Sequence, residues 1–349
     1  MASEILKGKV TDKTIWYVKD MQDNTSWLHE ITPEQQQEVS VALQIAKAKG
    51  CNVANITKED FPLPHFGTLL AQMQTELDQG YGFSVLRNVP IEGLSIEDIE
   101  LVYSGVTAHF GEKFNQDTKG TLIDHVADRG GDYADISVRG YTTNAQLTPH
   151  CDSGDLVVLL CVRPAKEGGL NNISCTMAVY NELVETHPEY LDVLYTGFHY
   201  NIRGNGPIGD FQDITKHRVP VFSYHQNMLS CRYNQKAILT AEELPGVEPL
   251  TDLEKDAINY VAELAMRDDI RFDVHLEAGD IAFLNNNTVF HNRDSFVDHD
   301  EPENKRLLLR QWVNLEGARE LTEEFADHYN TGPRRGPAIH PELVGERNQ

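Results

Sequence analysis

The longest unbroken apolar run, Leu156 to Val162, follows Asp155 and ends at Arg163-Pro164, the pattern of a strand buried on both faces. Shorter runs bounded by turn residues predict further strands at 82–87, 172–175, 197–203, 219–224, 227–233, 271–277, 280–284, 288–291 and 306–314. Helices announce themselves by caps and periodicity. Thr32-Pro33-Glu34-Gln35 combines an N-cap, a proline at the first helical position and a capping-box Gln, opening a helix to Lys49 before Gly50. Leu69, Leu70, Met73 and Leu77 give 67–79 one apolar face, closed by Gly80. Ser95 opens a helix to about Phe110, and Thr176 caps one to about Glu185 with a further turn after Pro188. Thr251 and Glu254 form a second capping box for a helix to about Met266. Residues 1–30 read as an arm anchored by Trp16, Tyr17 and Trp27, residues 315–349 as a C-terminal tail, and 111–149 as short strands among mobile loops of the kind that form active-site lids. The expected fold is α+β: one domain over 1–349 with a double-stranded β-helix core, jelly-roll or cupin-like, flanked by helices.

Charge narrows the partners. With 30 basic and 54 acidic residues the net charge is −24, which repels phosphate backbones and anionic membranes, so neither nucleic acid nor membrane is an expected partner. The acidic residues are spread along the chain, as on a solvated surface. Five scattered cysteines without a Cys-X-X-Cys pair suggest reducing cytoplasm rather than a disulfide framework. The first thirty residues lack the apolar centre of a signal peptide, and no apolar run is long enough to span a bilayer. A cytoplasmic protein acting on a small molecule is expected, with a homo-oligomer left open.

The chemistry concentrates in Thr148-Pro-His150-Cys-Asp152-Ser-Gly-Asp155. In an extended strand, residues i and i+2 point to one side, so His150 and Asp152 can reach one metal while Cys151 faces away. A third ligand must come from another strand, and His291 stands at the end of a run that begins with Gly279-Asp280. Two imidazoles and one carboxylate on a face of an octahedron leave three adjacent positions open, as a non-haem Fe(II) oxygenase requires. His65, His125, His199, His217, His225, His275 and His299 lack such pairing and read as structural or exposed. Beyond His291 comes Lys305-Arg306-Leu-Leu-Leu-Arg310-Gln-Trp312, which places Arg306 and Arg310 on one face of a strand.

Together the His-X-Asp pair, the Gly-Asp…Asn…His segment and the Arg-X-X-X-Arg strand resemble the taurine dioxygenase-like (TauD/TfdA) family of Fe(II)/2-oxoglutarate oxygenases, over roughly Gly80 to Asn314. The resemblance implies Fe(II) on His150, Asp152 and His291, with 2-oxoglutarate and O2 as cosubstrates. It places Arg306 on the far carboxylate of 2-oxoglutarate, where a planar guanidinium binds bidentately and Lys305 could not. Leu170-Asn171 replaces the family's usual Asp-Thr, and the Asn171 amide can donate the bond that the Thr hydroxyl makes. Asn286 matches a residue that shapes the turn before the third ligand. Arg310 either holds a substrate anion or forms a structural ion pair.

The implied reaction releases succinate and CO2 and hydroxylates an unactivated C–H, with desaturation or cyclisation as alternatives. Related halogenases have Gly or Ala in place of the carboxylate, so Asp152 disfavours halogenation. Candidate substrate contacts are Arg139, Tyr141, Asn144, Arg232 and Arg310, suited to a small acid or amino-acid-like metabolite with a carboxylate, sulfonate or phosphonate. Two other readings compete: a silent jelly roll that binds a small acid, and a metal hydrolase or lyase. The complete set of His150, Asp152, His291 and Arg306 argues against the first, and Arg306, which hydrolysis does not need, against the second.

Overall fold

The computed structural model describes residues 5–135 and 138–344. Its organising strand is Leu156–Arg163, and strict alternation divides that apolar run between two cores. Val157, Leu159 and Cys161 enter one core; Leu156, Val158, Leu160 and Val162 enter the other. The strand lies between Ile281–Asn285 and Leu307–Leu315, antiparallel to both. These belong to a seven-stranded sheet in the order Leu28–Glu30, Phe83–Arg87, Ile281–Asn285, Leu156–Arg163, Leu307–Leu315 and Gly111–Phe114, with Asp124–Val126 also paired to Leu307–Leu315.

Helices Pro33–Ala48, Phe66–Gln79 and Ile96–Thr107 bury their apolar faces against one side of this sheet. The other side shares its core with a smaller antiparallel sheet of Arg271–Val274, Asn171–Cys175 and Val289–Arg293, backed by helices Thr176–Thr186 and Asp252–Ala265. Two sheets packed face to face make the jelly roll, and the site lies between them.

The capping signals work as the sequence suggests. Thr32 and Gln35 bond reciprocally at 3.3 and 2.9 Å, and Thr251 and Glu254 do the same at 3.3 and 2.9 Å. Thr176 differs: it is the first helical residue, and its hydroxyl donates to the Thr288 carbonyl at 2.8 Å, tying the helix to the small sheet instead of capping it. The expected strand at 197–203 reduces to the isolated bridges Phe198–Val219 and Asn201–Ile214. Left-handed backbone at Gly197 (φ 76°) and Arg203 (φ 49°) breaks the extended run at both ends. Helix Gln235–Glu242 is additional; its eight residues, capped by the Asn234 side chain, are too few for the periodicity to show.

Both chain ends are built into the body. Trp16 and Trp27 pack with Phe83 and Phe272 at centroid separations of 5.4–6.5 Å, and Leu28–Glu30 joins the large sheet parallel to Phe83–Arg87. The expected C-terminal tail returns over the jelly roll, burying Phe325 and Ala326 and pairing Arg334 with the buried Asp155. No helix among the described residues is long and apolar enough to cross a membrane.

Candidate metal centre and active-site cavity

His150 and His291 are direct cross-strand neighbours. Each backbone N–H donates to the other's carbonyl, at 3.0 and 2.9 Å, and the two rings lie 4.4 Å apart. His150 also bridges Asn234, so the small sheet continues past its last full strand. Asp152 departs from expectation in lying outside any regular strand, in the short irregular segment between the His150 bridge and the bend at 153–155. That segment is held from outside. Asn286 accepts the Asp152 N–H at 3.1 Å and donates to the Ser153 and Gly154 carbonyls at 3.3 Å.

Gly154 sits at φ 80°, and a Cβ there would lie 2.7 Å from the Phe114 ring. Gly154→Ala is therefore expected to cost at least about 1–2 kcal/mol from left-handed strain alone, seen as a lower Tm. It should also weaken metal retention, because the strain falls beside Asp152. The Gly279-Asp280 turn is structural in a comparable way: a Cβ on Gly279 would approach the Val89 carbonyl at 2.7 Å, and buried Asp280 pairs with Arg87 at 2.9 Å.

One carboxylate and two imidazoles thus converge. Asp152 Oδ1 is 3.8 Å from His150 Nε2, Asp152 Oδ2 is 3.8 Å from His291 Nε2, and the three ligand atoms lie within 4.8 Å of one another. His150 Nδ1 is 2.8 Å from the Thr148 carbonyl, which places the proton there and turns the Nε2 lone pair toward Asp152. Burial, reinforced by His150, holds the His291 pKa down to about 3, so its ring is a neutral donor at pH 7. Burial also opposes charge on Asp152. The Arg310 guanidinium outweighs it, with help from His291, His150 and the Trp312 N–H, and the Asp152 pKa falls to about 2. A neutral imidazole beside an ionised carboxylate is a donor set ready for a divalent cation.

The strand Leu307–Leu315 supplies the rest of this wall. Arg306, Leu308, Arg310 and Trp312 alternate onto the face that lines the cavity, while Leu307, Leu309 and Val313 enter the helix-side core. Arg310 is buried and heavily committed. It donates to Gln116 Oε1 at 2.8 Å, Asp152 Oδ2 at 3.2 Å and Asp124 Oδ2 at 3.2 Å, with the Tyr141 ring 4.6 Å from its guanidinium. This is the geometry of the structural ion-pair alternative for Arg310. Trp312 Nε1 donates to the same Asp152 oxygen at 3.1 Å, so Arg310 and Trp312 together orient the carboxylate.

Arg306 is the opposite case. Its Nη1 is buried with no hydrogen-bond partner among the described residues, and its guanidinium lies 5.0 Å from the Phe296 ring. Arg293 faces the same ring at 4.7 Å, also with an unpartnered Nη1. Burial brings the Arg306 pKa down to about 10, which leaves it charged at neutral pH. Asn171 lines the same cavity of about 210 Å³. Asp298 accepts the Arg306 backbone N–H at 2.6 Å and offsets part of its charge, but the buried Nη1 stays unpaired, and a chelating dicarboxylate would complete it.

Two of the expected substrate contacts, Arg139 and Tyr141, line this cavity along with Arg310. Arg232 does not. It donates to the Phe325 and Asp327 carbonyls at 3.2 Å, stacks on Tyr200 at 4.9 Å and lines a separate cavity of about 90 Å³. Asn144 also lies off the cavity wall, where its carbonyl accepts the Phe296 N–H at 3.1 Å. In both cases nearness in sequence to the site misleads, because the strand or loop turns the side chain elsewhere. Tyr133, Arg203, Lys236, Arg293 and Tyr329 line the cavity without any motif to announce them. Arg293 ends the strand that carries His291, two residues on and so on the same face; the others come from loops, a short helix and the C-terminal return, where the Arg203-Gly-Asn-Gly206 turn leaves a local trace in sequence.

A jelly roll that gathers two histidines and an aspartate in one cavity, with an unpartnered arginine on the adjoining strand, has the architecture of a non-haem iron oxygenase. Residues 45–312 match the family model described as Taurine catabolism dioxygenase TauD, TfdA family. The chain belongs to that family and is an Fe(II)- and 2-oxoglutarate-dependent dioxygenase. It is 30% identical over 328 residues to FR-33289 synthase of Streptomyces rubellomurinus, covering 93% of this chain and 96% of that protein. It is 25% identical over 316 residues to a taurine hydroxylase-like protein of Stachybotrys chartarum, covering 87% and 80% respectively. Among solved structures, asparagine oxygenase in complex with Fe(II), 3-hydroxyasparagine and succinate shares the fold with a TM-score of 0.65 at 17% identity, over 82% of this chain and 93% of that one.

Proposed function

We propose that His150, Asp152 and His291 hold Fe(II), and that Arg306 and Asn171 hold the far carboxylate of 2-oxoglutarate. On this reading the enzyme hydroxylates an unactivated C–H of a small anionic or amino-acid-like metabolite. The observation that carries the reading is the unpartnered, buried Arg306 in the same cavity as a preorganised His/Asp/His set. Iron bound there supplies the oxidative chemistry of the family, in which 2-oxoglutarate, O2 and R–H give succinate, CO2 and R–OH. Arg310 and Trp312 both donate to Asp152 Oδ2, so Oδ1 would remain free to hold the metal. Both keep the carboxylate ionised and fixed in rotation. Arg306 orients the cosubstrate by charge. Asparagine oxygenase, crystallised with a hydroxylated amino acid and succinate, favours hydroxylation over desaturation or cyclisation.

The single-domain reading is part of the same proposal. It is supported by Tyr329 of the C-terminal return lining the cavity and by Trp16 of the N-terminal arm packing on the sheet.

The test is an anaerobic titration with Fe(II) and 2-oxoglutarate. The expected result is the weak visible charge-transfer band of the chelate, followed on admission of O2 by succinate release. Metal binding without the band, or catalysis that persists under nitrogen with zinc, would replace this reading with a hydrolase or lyase.

A further inference from the structure

Apart from Arg310, which is paired with Asp152 and Asp124, the cations of the cavity fall into two groups. Arg306 and Arg293 share the Phe296 ring. Arg203, Arg139 and Lys236 form the other group, in which Arg203 and Arg139 line both the cavity of the His/Asp/His set and the smaller one behind it. Arg306 and Arg293 line only the first cavity, so Arg203 and Arg139 occupy a different wall, with Lys236 beside them.

Arg203 is the least compensated residue of that wall. Its Nε and Nη2 are both buried and have no hydrogen-bond partner among the described residues. The groups that bear on its charge are Arg139 and Lys236, which repel it, and the phenols of Tyr133 and Tyr329. Burial is the larger effect, and together with Arg139 it lowers the Arg203 pKa to about 10. Its backbone is held at φ 49° by Asn201, whose side-chain oxygen accepts the Arg203 N–H at 2.9 Å. Strained backbone and an unpaired buried guanidinium each cost stability, and they persist where a ligand completes the arrangement. The Arg139 guanidinium likewise makes no hydrogen bond or ion pair among the described residues. Lys236 serves the wall differently. Its Nζ donates to the Tyr133 and Asp135 carbonyls at 2.6 and 3.0 Å and lies 4.2 Å from the Tyr133 ring centroid, pinning that loop beside the two arginines.

We infer that Arg203 and Arg139 form a substrate subsite for a doubly charged oxyanion, a phosphonate or phosphate monoester, at the end of the substrate remote from the carbon that is oxidised. The inference rests on the oxygenase reading of the site and adds the substrate class. Two guanidiniums without an acid balance two negative charges, and their forked donors match the three oxygens of a tetrahedral group. A zwitterionic amino acid would bring a single carboxylate to two guanidiniums that have no ion-pair partner among the described residues.

The test uses the Fe(II)- and 2-oxoglutarate-loaded protein under anaerobic conditions, titrated calorimetrically with methylphosphonate, methyl phosphate and acetate. Either or both of the first two should bind, and their ratio separates phosphonate from phosphate ester; acetate should bind at least about tenfold more weakly. Arg203→Gln should lower the methylphosphonate affinity by at least about tenfold while the visible chelate band stays in place. If Arg203→Gln does not fold, Arg139→Gln is read in the same way. Equal binding of acetate and methylphosphonate, absence of binding, or undiminished binding in the variant would overturn the subsite. Loss of the chelate band in the unsubstituted protein would instead overturn the oxygenase reading, so the two failures are distinguishable.

Discussion

Asp152→Ala is expected to remove 2-oxoglutarate turnover, lowering succinate formation by more than about 100-fold, because residues that merely support a metal ligand already cost 10–100-fold when lost. The fold should survive. Arg310 keeps Asp124 and Gln116 as partners, so its guanidinium loses one of three acceptors rather than becoming an isolated buried charge. The stability loss should be about 1–3 kcal/mol, the cost of one charge-assisted bond in a buried site. Succinate production, Fe(II) retention and a thermal melt of the same preparation separate the two effects. Near-native succinate formation with the two histidines alone would mean that another carboxylate completes the metal set. The structure also distinguishes this variant from Asn286→Ala. Among the described residues the Asn286 side chain hydrogen-bonds to the backbone of 152–154 and to no metal ligand side chain, so its loss should weaken metal binding without ending turnover.

Arg306→Ala should act on the cosubstrate. A buried guanidinium in a charge-assisted pair contributes about 1.5–3 kcal/mol, which corresponds to a rise of roughly 10- to 150-fold in the 2-oxoglutarate concentration needed for half-saturation. Iron binding itself should change little, because Arg306 is not among the groups facing the His/Asp/His set. The substitution also removes an unpaired buried charge, so the protein without ligands should melt at the same temperature or higher. A stability gain joined to a cosubstrate defect is the signature of a cation retained for binding. An unchanged 2-oxoglutarate requirement would transfer the role to Arg293, which shares the Phe296 ring and also has an unpartnered nitrogen. Arg306→Lys should recover part of the affinity through charge alone, without the bidentate geometry.

The parts of this protein readable from sequence are those written in local physical rules. Thr32 and Gln35, or Thr251 and Glu254, start helices because each satisfies orphan N–H groups within one turn. The alternation in Leu156–Arg163 assigns side chains to two cores because strand periodicity is two. The spacing of His150, Asp152 and His291 and the matched Arg306 carried the family because those residue types have few other reasons to occur in that order. Tertiary structure decided what no local rule encodes. It placed His150 opposite His291 through a backbone bridge, moved Asp152 into an irregular segment braced by Asn286, and committed Arg310 to Asp152 and Asp124. It also sent Arg232 to the carbonyls of the C-terminal return, while Arg203, Lys236 and Tyr329 came from separated segments to line the cavity. The physical reason is that a cavity wall is defined by which side chains are left facing it after both sheets have packed. That depends on contacts between residues more than a hundred positions apart, to which hydrophobic period and capping are blind.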